Sequence, residues 1–76
     1  VKFFGFYTMT NLQGRVSTQM VPGSQKVGFA SEATARVKLN ERVKDLRVEF
    51  DARNLVVCAF NSQNEAYKYL REINEV

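Results

Sequence analysis

The apolar positions at the start of the chain predict a strand that is hydrophobic on both faces. In a strand spanning Lys2–Met9, Phe4 and Phe6 fall on one face. Phe3 and Tyr7 fall on the other face. A sheet with one face in water carries polar residues on that face, so each face of this strand needs a cover. Because a chain of 76 residues offers little material to cover the strand twice, we expect one face to meet a partner.

The next residues predict a β-hairpin with the first strand. Thr10–Gly14 has the composition of a tight turn, since Asn and Gly tolerate positive φ. Arg15–Val21 then alternates apolar with polar residues, as a strand with one wet face does. Pro22–Lys26 predicts a loop, and Val27–Phe29 is a short apolar piece expected to tuck under the sheet.

A helix is predicted to begin after Ser31, a plausible N-cap residue. The apolar stripe of this helix recurs at i, i+4, i+8 and i+11 and comprises Ala35, Leu39, Val43 and Leu46. Residues Ala33–Leu39 also alternate at period two, so a strand is the alternative there. No Gly or Pro marks the end of the helix, which we predict near Asp45.

Two further strands and a second helix complete the pattern. Alternation over Leu46–Asp51 predicts a third strand, followed by a turn. Leu55–Phe60 is apolar throughout and predicts a central strand buried on both faces. Ser62 and Glu65 form a capping-box sequence that opens the C-terminal helix.

These elements predict a single α+β domain spanning residues 1–76. The order is ββαββα, and the architecture is two-layer, with a four-stranded antiparallel sheet and two helices on one face. The other face of the sheet is left open in this arrangement.

The charge balance favours an anionic partner. Eleven Lys and Arg residues against eight Asp and Glu give a net charge of +3, which suits nucleic acid without requiring it. No stretch approaches a membrane span, and no signal peptide is recognised at the start, so we expect a cytoplasmic protein that does not associate with membranes.

Catalysis is the function class with the weakest support. The chain has no His and one Cys, so it cannot form a Ser-His or Cys-His pair or a Cys/His zinc site within one copy. Cys58 lies in an apolar context typical of a structural buried thiol, although a reactive thiol is the alternative. Glu49 and Asp51 share a face of the predicted third strand, where they could bind a metal or simply face solvent. We predict no catalytic residue, no metal site and no cofactor.

The first candidate nucleic-acid-binding group lies in the aromatic strand. Lys2, Phe4 and Phe6, with Gly5, match positions of the RNP1 octamer of RNA-recognition-motif domains. The remaining positions differ, and that octamer lies on the third strand of a βαββαβ fold, so membership of the family is not inferred. The two Phe rings could stack on unpaired bases beside the Lys2 ammonium. The alternative is that both rings belong to a core or a dimer interface.

The second candidate group is a row of basic residues on the predicted first helix. Five basic residues on or flanking this row are Arg36, Lys38, Arg42, Lys44 and Arg47. They could contact phosphates. Acidic residues interleave with them, so a solvated helix face with internal ion pairs is the alternative.

The short length, the basic balance and the strand Lys2-Phe3-Phe4-Gly5-Phe6-Tyr7 together resemble the small host-takeover proteins of T-even phages. The resemblance carries no diagnostic motif and assigns no residue a role. It implies an inhibitor that neutralises a host toxin nuclease in an RNA-containing complex, in the host cytoplasm. The expected function is therefore a non-catalytic, RNA-associated binding module. The alternative is a homodimeric protein-binding inhibitor of the antitoxin type that binds no nucleic acid.

Overall fold

The computed structural model describes residues 1–21 and 28–74 and contains three strands and two helices. In chain order these are β1 (Lys2–Thr10), β2 (Val16–Met20), α1 (Glu32–Phe50), β3 (Arg53–Phe60) and α2 (Gln63–Asn74). The predicted loop Pro22–Lys26 lies outside the described residues, as does Val27 of the apolar piece that follows it. No helix in the described residues is long and apolar enough to span a membrane.

The sheet is antiparallel, with strand order β2-β1-β3, so β1 is the central strand. The predicted hairpin of β1 and β2 is confirmed. Its turn is stabilised by the Asn11 side chain, whose Oδ1 accepts hydrogen bonds from the N–H groups of Gln13 and Arg15. Gly14, between these two residues, has a φ of 82°, a conformation that glycine adopts without steric cost.

The two helices cover opposite faces of the sheet, and the prediction of two helices on one face is wrong. Side chains alternate along β1, so Phe4 and Tyr7 point to different sides. Five buried residues form the cluster on the α1 side, namely Tyr7, Val21, Leu39, Val43 and Ala52. Four buried residues form the cluster on the α2 side, namely Phe4, Phe6, Met20 and Ala66. The chain therefore covers both faces of β1 itself, and the expectation that one face requires a partner is also wrong.

The predicted third strand does not exist, which corrects the four-stranded ββαββα arrangement to a three-stranded β-β-α-β-α order. Residues 46–50 instead continue α1 to Phe50. Leu46 extends the helical stripe as a partly buried residue, while Val48 is 94% exposed. The helix ends where Asp51 adopts a left-handed conformation, with φ of 49°, and donates its N–H to the carbonyl of Arg47. The class α+β is retained.

The N-terminus of α1 confirms the predicted cap. Ser31 is extended, and its Oγ accepts a hydrogen bond from the Thr34 N–H at 3.2 Å. The open choice between helix and strand for Ala33–Leu39 is resolved as helix, because Ala35 and Leu39 are both buried against the sheet. The side chain of Val37, between them, is 53% exposed.

β3 lies at an edge of the sheet, and its prediction as a central strand buried on both faces is wrong. Val56 is opposite Phe6 and Asn54 is opposite Tyr7, so Leu55 is an extra residue that forms a β-bulge. Leu55 is 46% exposed. The apolar composition of β3 reflects partial burial under both helices rather than strands on both sides.

The N-terminus of α2 is capped by the predicted pair of side chains, with one difference. Ser62 Oγ accepts from the Glu65 N–H at 3.3 Å, as the capping box requires. The Glu65 carboxylate accepts from the N–H of Asn61 rather than from that of Ser62, at 3.1 Å.

Candidate nucleic-acid interface

The two phenylalanines of the predicted stacking surface are buried in the core. Phe4 and Phe6 are each 0% exposed. The ring of Phe6 makes an edge contact with Tyr69 at a centroid distance of 5.2 Å, and Phe4 lies 6.0 Å from Phe60. Since neither ring reaches the surface, neither is available to a base, and neither belongs to the interface.

Lys2 is exposed but is not brought together with the basic residues of α1. It lies at the beginning of β1, opposite Phe60, and shares the α2 side of the sheet with Phe4 by strand alternation. The basic residues of α1 lie over the other side. The structure therefore divides the predicted site.

The basic residues of α1 occupy two flanks of that helix. On the flank beside β3, the Asn40 side chain accepts a hydrogen bond from Asn54 Nδ2 at 2.6 Å. Arg36 lies in the same open depression between α1 and β3. Arg47 borders a second depression, with Arg53, where the chain passes from α1 to β3. We call this surface the α1–β3 margin and define it by Arg36, Asn40, Lys44, Arg47, Arg53 and Asn54.

Lys38 and Arg42 lie on the other flank of α1, beside Val21 and Phe29. Arg42 Nε donates a hydrogen bond to the Tyr7 hydroxyl at 3.3 Å, so this guanidinium helps to pack α1 on the sheet. Lys38 Nζ lies 3.7 Å from a Glu41 carboxylate oxygen. Acidic neighbours thus offset the positive charge on this flank.

The α1–β3 margin retains uncompensated positive charge. Arg36 forms an ion pair with Glu32 at 2.6 Å, and Arg53 forms one with Asp51 at 3.4 Å. Both pairs are exposed, and such pairs contribute little to stability.

Lys44 and Arg47, by contrast, have no carboxylate within 4.0 Å among the residues that the structure describes. Both side chains are exposed. Their charges remain available to an anion at this surface.

Arg53 and Asn54 were not identified from the sequence as interface residues, because they fell in a predicted turn. Arg53 lies beside Arg47 because α1 is longer than the sequence predicts. Once α1 runs to Phe50, a two-residue connection returns the chain along the same flank of the helix. Asn54 then bonds to Asn40, which fixes β3 against α1.

The candidates for chemistry lie apart from this margin. Cys58 is half-buried on the α2 side, where it contacts Tyr69. Burial raises the pKa of the Tyr69 hydroxyl, and the hydrogen bond and charge interaction with Cys58 raise it further. Glu49 belongs to α1 and Asp51 ends it, so they do not share a strand face. Among residues 1–21 and 28–74, no three His, Cys, Asp or Glu side chains cluster as metal ligands.

Comparison of the chain with protein-family models, curated proteins and solved structures finds no match.

Proposed function

We propose that this protein is a non-catalytic, RNA-associated binding module that contacts phosphates through the α1–β3 margin. The observation that supports it is the pair Lys44 and Arg47, exposed and without an acidic partner among the described residues. Arg36 and Arg53 lie on the same flank and can exchange their carboxylates for phosphate oxygens.

The mode of binding is electrostatic. With Phe4 and Phe6 buried, the aromatic ring exposed most among the described residues is Tyr67, which lies on α2 away from the margin. Without rings to stack on bases, affinity comes from neutralising phosphates and is nearly independent of base sequence. The non-catalytic part of the proposal is supported by the absence of His from the sequence and by its single Cys.

The test is the salt dependence of binding to a labelled single-stranded RNA oligonucleotide. The variant Lys44→Gln/Arg47→Gln removes the two unpaired charges of the margin. If each contacts one phosphate, the slope of log K against log salt becomes less steep by about 1.4. The matched control is Lys68→Gln/Arg71→Gln, which removes the same net charge from α2. Equal loss in both variants would show that only net charge matters and would overturn the assignment to the margin.

We further propose that the RNA belongs to a complex with a host toxin nuclease, which the resemblance to phage host-takeover proteins implies. Tagged protein is used to recover partners from lysate with and without ribonuclease treatment. Recovery of a nuclease that requires intact RNA supports this extension. Recovery that ignores ribonuclease would replace it with direct protein binding.

A second candidate function is protein binding without nucleic acid, which one observation favours. The outer edge of β3 pairs with no strand in the described part of the chain. Binding that is insensitive to salt would favour this alternative over the RNA proposal.

A further inference from the structure

The two edge strands of the sheet, β2 and β3, differ in whether a side chain covers their outward backbone groups. At the β2 edge, Thr18 turns its backbone away from β1, and the Asn74 side chain covers it. The Thr18 N–H donates to Asn74 Oδ1 at 2.8 Å, and the Thr18 carbonyl accepts from Asn74 Nδ2 at 3.1 Å. One carboxamide therefore occupies both backbone groups of the middle residue at this edge, which another strand could otherwise use.

The outer edge of β3 has no comparable cover among the described residues. On β1, Phe3 and Gly5 direct backbone hydrogen bonds toward the β2 side, to Phe29 and Val21. Because these groups alternate along a strand, Phe4 directs its own toward Cys58 on β3.

The same alternation applies along β3 itself. Cys58 and Val56, opposite Phe4 and Phe6, direct their backbone groups inward to β1. Val57 and Ala59 direct theirs outward, away from β1. Ala59 is also exposed at its side chain.

The open edge has a short regular segment with a defined centre. The bulge at Leu55 interrupts regular pairing at one end, so the regular segment is Val56–Phe60 and its middle residue is Cys58. This segment contains no charged residue and no proline, which are the usual means of preventing strands from pairing at an edge.

We propose that a second copy of this chain pairs with the open edge of β3, antiparallel, about a twofold axis at Cys58. Val57 of each copy then lies opposite Ala59 of the other, and each such pair exchanges both of its backbone hydrogen bonds. Val56 lies opposite Phe60. The two three-stranded sheets become one continuous sheet.

The sequence of the edge fits a second copy because it is complementary to itself. In an antiparallel pair of identical strands, the outward backbone groups of Val57 in one copy face those of Ala59 in the other. The reverse pair, Ala59 facing Val57, follows from the twofold axis. Arg53, the charged residue within β3, lies beyond the bulge and outside the paired segment Val56–Phe60, so no charged residues lie opposite each other in the pairing. A twofold pair is also the commonest closed assembly.

Cys58 provides a direct readout, since any disulfide formed by a chain with one Cys links two copies. In the proposed register the two Cys58 residues form a non-hydrogen-bonded pair, with Cα atoms about 4.5 Å apart, which a disulfide can bridge. Diamide, which accepts the two electrons and two protons of the thiols, is added, and products are separated without reductant. We expect a covalent dimer.

The matched control is Leu55→Cys/Cys58→Ala, which moves the single thiol to a residue that is 46% exposed. In the proposed register, positions 55 of the two copies are six residues apart along the strand, about 20 Å. The more exposed thiol is therefore expected to cross-link several-fold less. Equal or greater cross-linking at position 55 would indicate random collision and would overturn the register.

A second measurement tests pairing without covalent chemistry. Ala59→Pro removes an outward N–H that β1 does not use, so the fold is retained while a hydrogen bond is lost from each of the two pairs. Sedimentation equilibrium is expected to show that the dimer dissociation constant rises about tenfold or more. Circular dichroism confirms folding, and Ala59→Lys serves in its place if the proline variant unfolds.

An unchanged dissociation constant in a folded edge variant would overturn the proposal, as would a wild-type protein that is monomeric at high micromolar concentration. These measurements contain no RNA, so their outcome is independent of the function proposed above.

Discussion

The Asn74 carboxamide bonds to both the N–H and the carbonyl of Thr18, at 2.8 and 3.1 Å. This double contact joins the last described residue of α2 to the middle of β2. Thr18 is 6% exposed, so water has limited access to replace either bond. The contact covers the middle of one edge of the sheet and also attaches the C-terminal helix to it.

Asn74→Ala is expected to destabilise the protein by about 1–3 kcal/mol, because it leaves a largely buried N–H and carbonyl without partners. Chemical denaturation measures the loss. Amide hydrogen exchange adds a local readout, since the Thr18 N–H should exchange faster while the N–H groups bonded within β1 and β2 change less. Asn64→Ala, an exposed change on the same helix, is the control and should stay within about 0.5 kcal/mol of wild type. Unaltered Thr18 exchange would contradict the contact.

Phe6→Ala is expected to cost about 3–5 kcal/mol, the usual range for a buried aromatic residue. Phe6 is 0% exposed and makes edge contacts with Phe60 and Tyr69. For a domain of this size such a loss is a large part of the total stability. Thermal unfolding measures it, with Leu12→Ala, at a position 94% exposed, as the control. A Phe6→Ala variant as stable as wild type would show that the ring is at the surface.

Gly28→Ala and Gly14→Ala form a matched pair that separates steric overlap from backbone conformation. Both glycines have φ near 80°, so each alanine has a left-handed cost of about 1 kcal/mol. A Cβ at Gly28 would also lie 2.8 Å from Lys2 Cβ and from Phe4 Cζ, whereas one at Gly14 meets nothing within 4 Å. Since Phe4 is buried, we expect Gly28→Ala to cost at least about 2 kcal/mol. Equal losses in urea denaturation would contradict this packing.

Stability is expected to fall at high pH through Tyr69. Burial first, and then the interaction with Cys58, raises the pKa of this hydroxyl above its ordinary value of 10.0. A group with a raised folded-state pKa contributes stability that is complete below the unfolded pKa and is lost as the pH rises through the folded pKa. Denaturation midpoints measured from pH 8 upward should therefore decline less steeply in Tyr69→Phe than in wild type. Parallel declines would exclude Tyr69 as a source of alkaline sensitivity.

The parts of the fold that depend on local signals could be predicted from the sequence. Ser31 and Ser62 cap helices because their hydroxyls reach nearby N–H groups, which is a matter of a few residues. The hairpin follows from the turn at Asn11 and the alternation after it.

The extent of α1 was not predictable in this way. Leu46–Phe50 satisfies both a helical and a strand periodicity, and no Gly or Pro separates it from the preceding helix. These residues are helical, and Leu46 packs against the cluster on the α1 side of the sheet. The face of the sheet that the prediction leaves open is covered by α2. The sequence thus predicts the two-sided hydrophobicity of β1, but the second face is covered by the second helix and not by a partner.

The candidate site was predictable only in part. The spacing of Arg36, Lys44 and Arg47 correctly places them along one side of a helix. Which flank of α1 faces β3 depends on tertiary packing. The spacing alone therefore does not predict that Lys38 and Arg42 lie on the flank away from β3. Burial of Phe4 and Phe6 likewise depends on where α2 packs.

If two copies pair through β3 as proposed, the asymmetry between the sheet edges sets an upper limit on assembly. A sheet with one edge available for pairing can form a dimer but no larger assembly through that edge, whatever the protein concentration. If Asn74 is removed, the Thr18 N–H and carbonyl at the β2 edge are uncovered, and association can then continue from both edges, as it does in a filament. The Asn74→Ala variant is therefore expected to scatter light increasingly above a threshold concentration, whereas the wild-type protein should not.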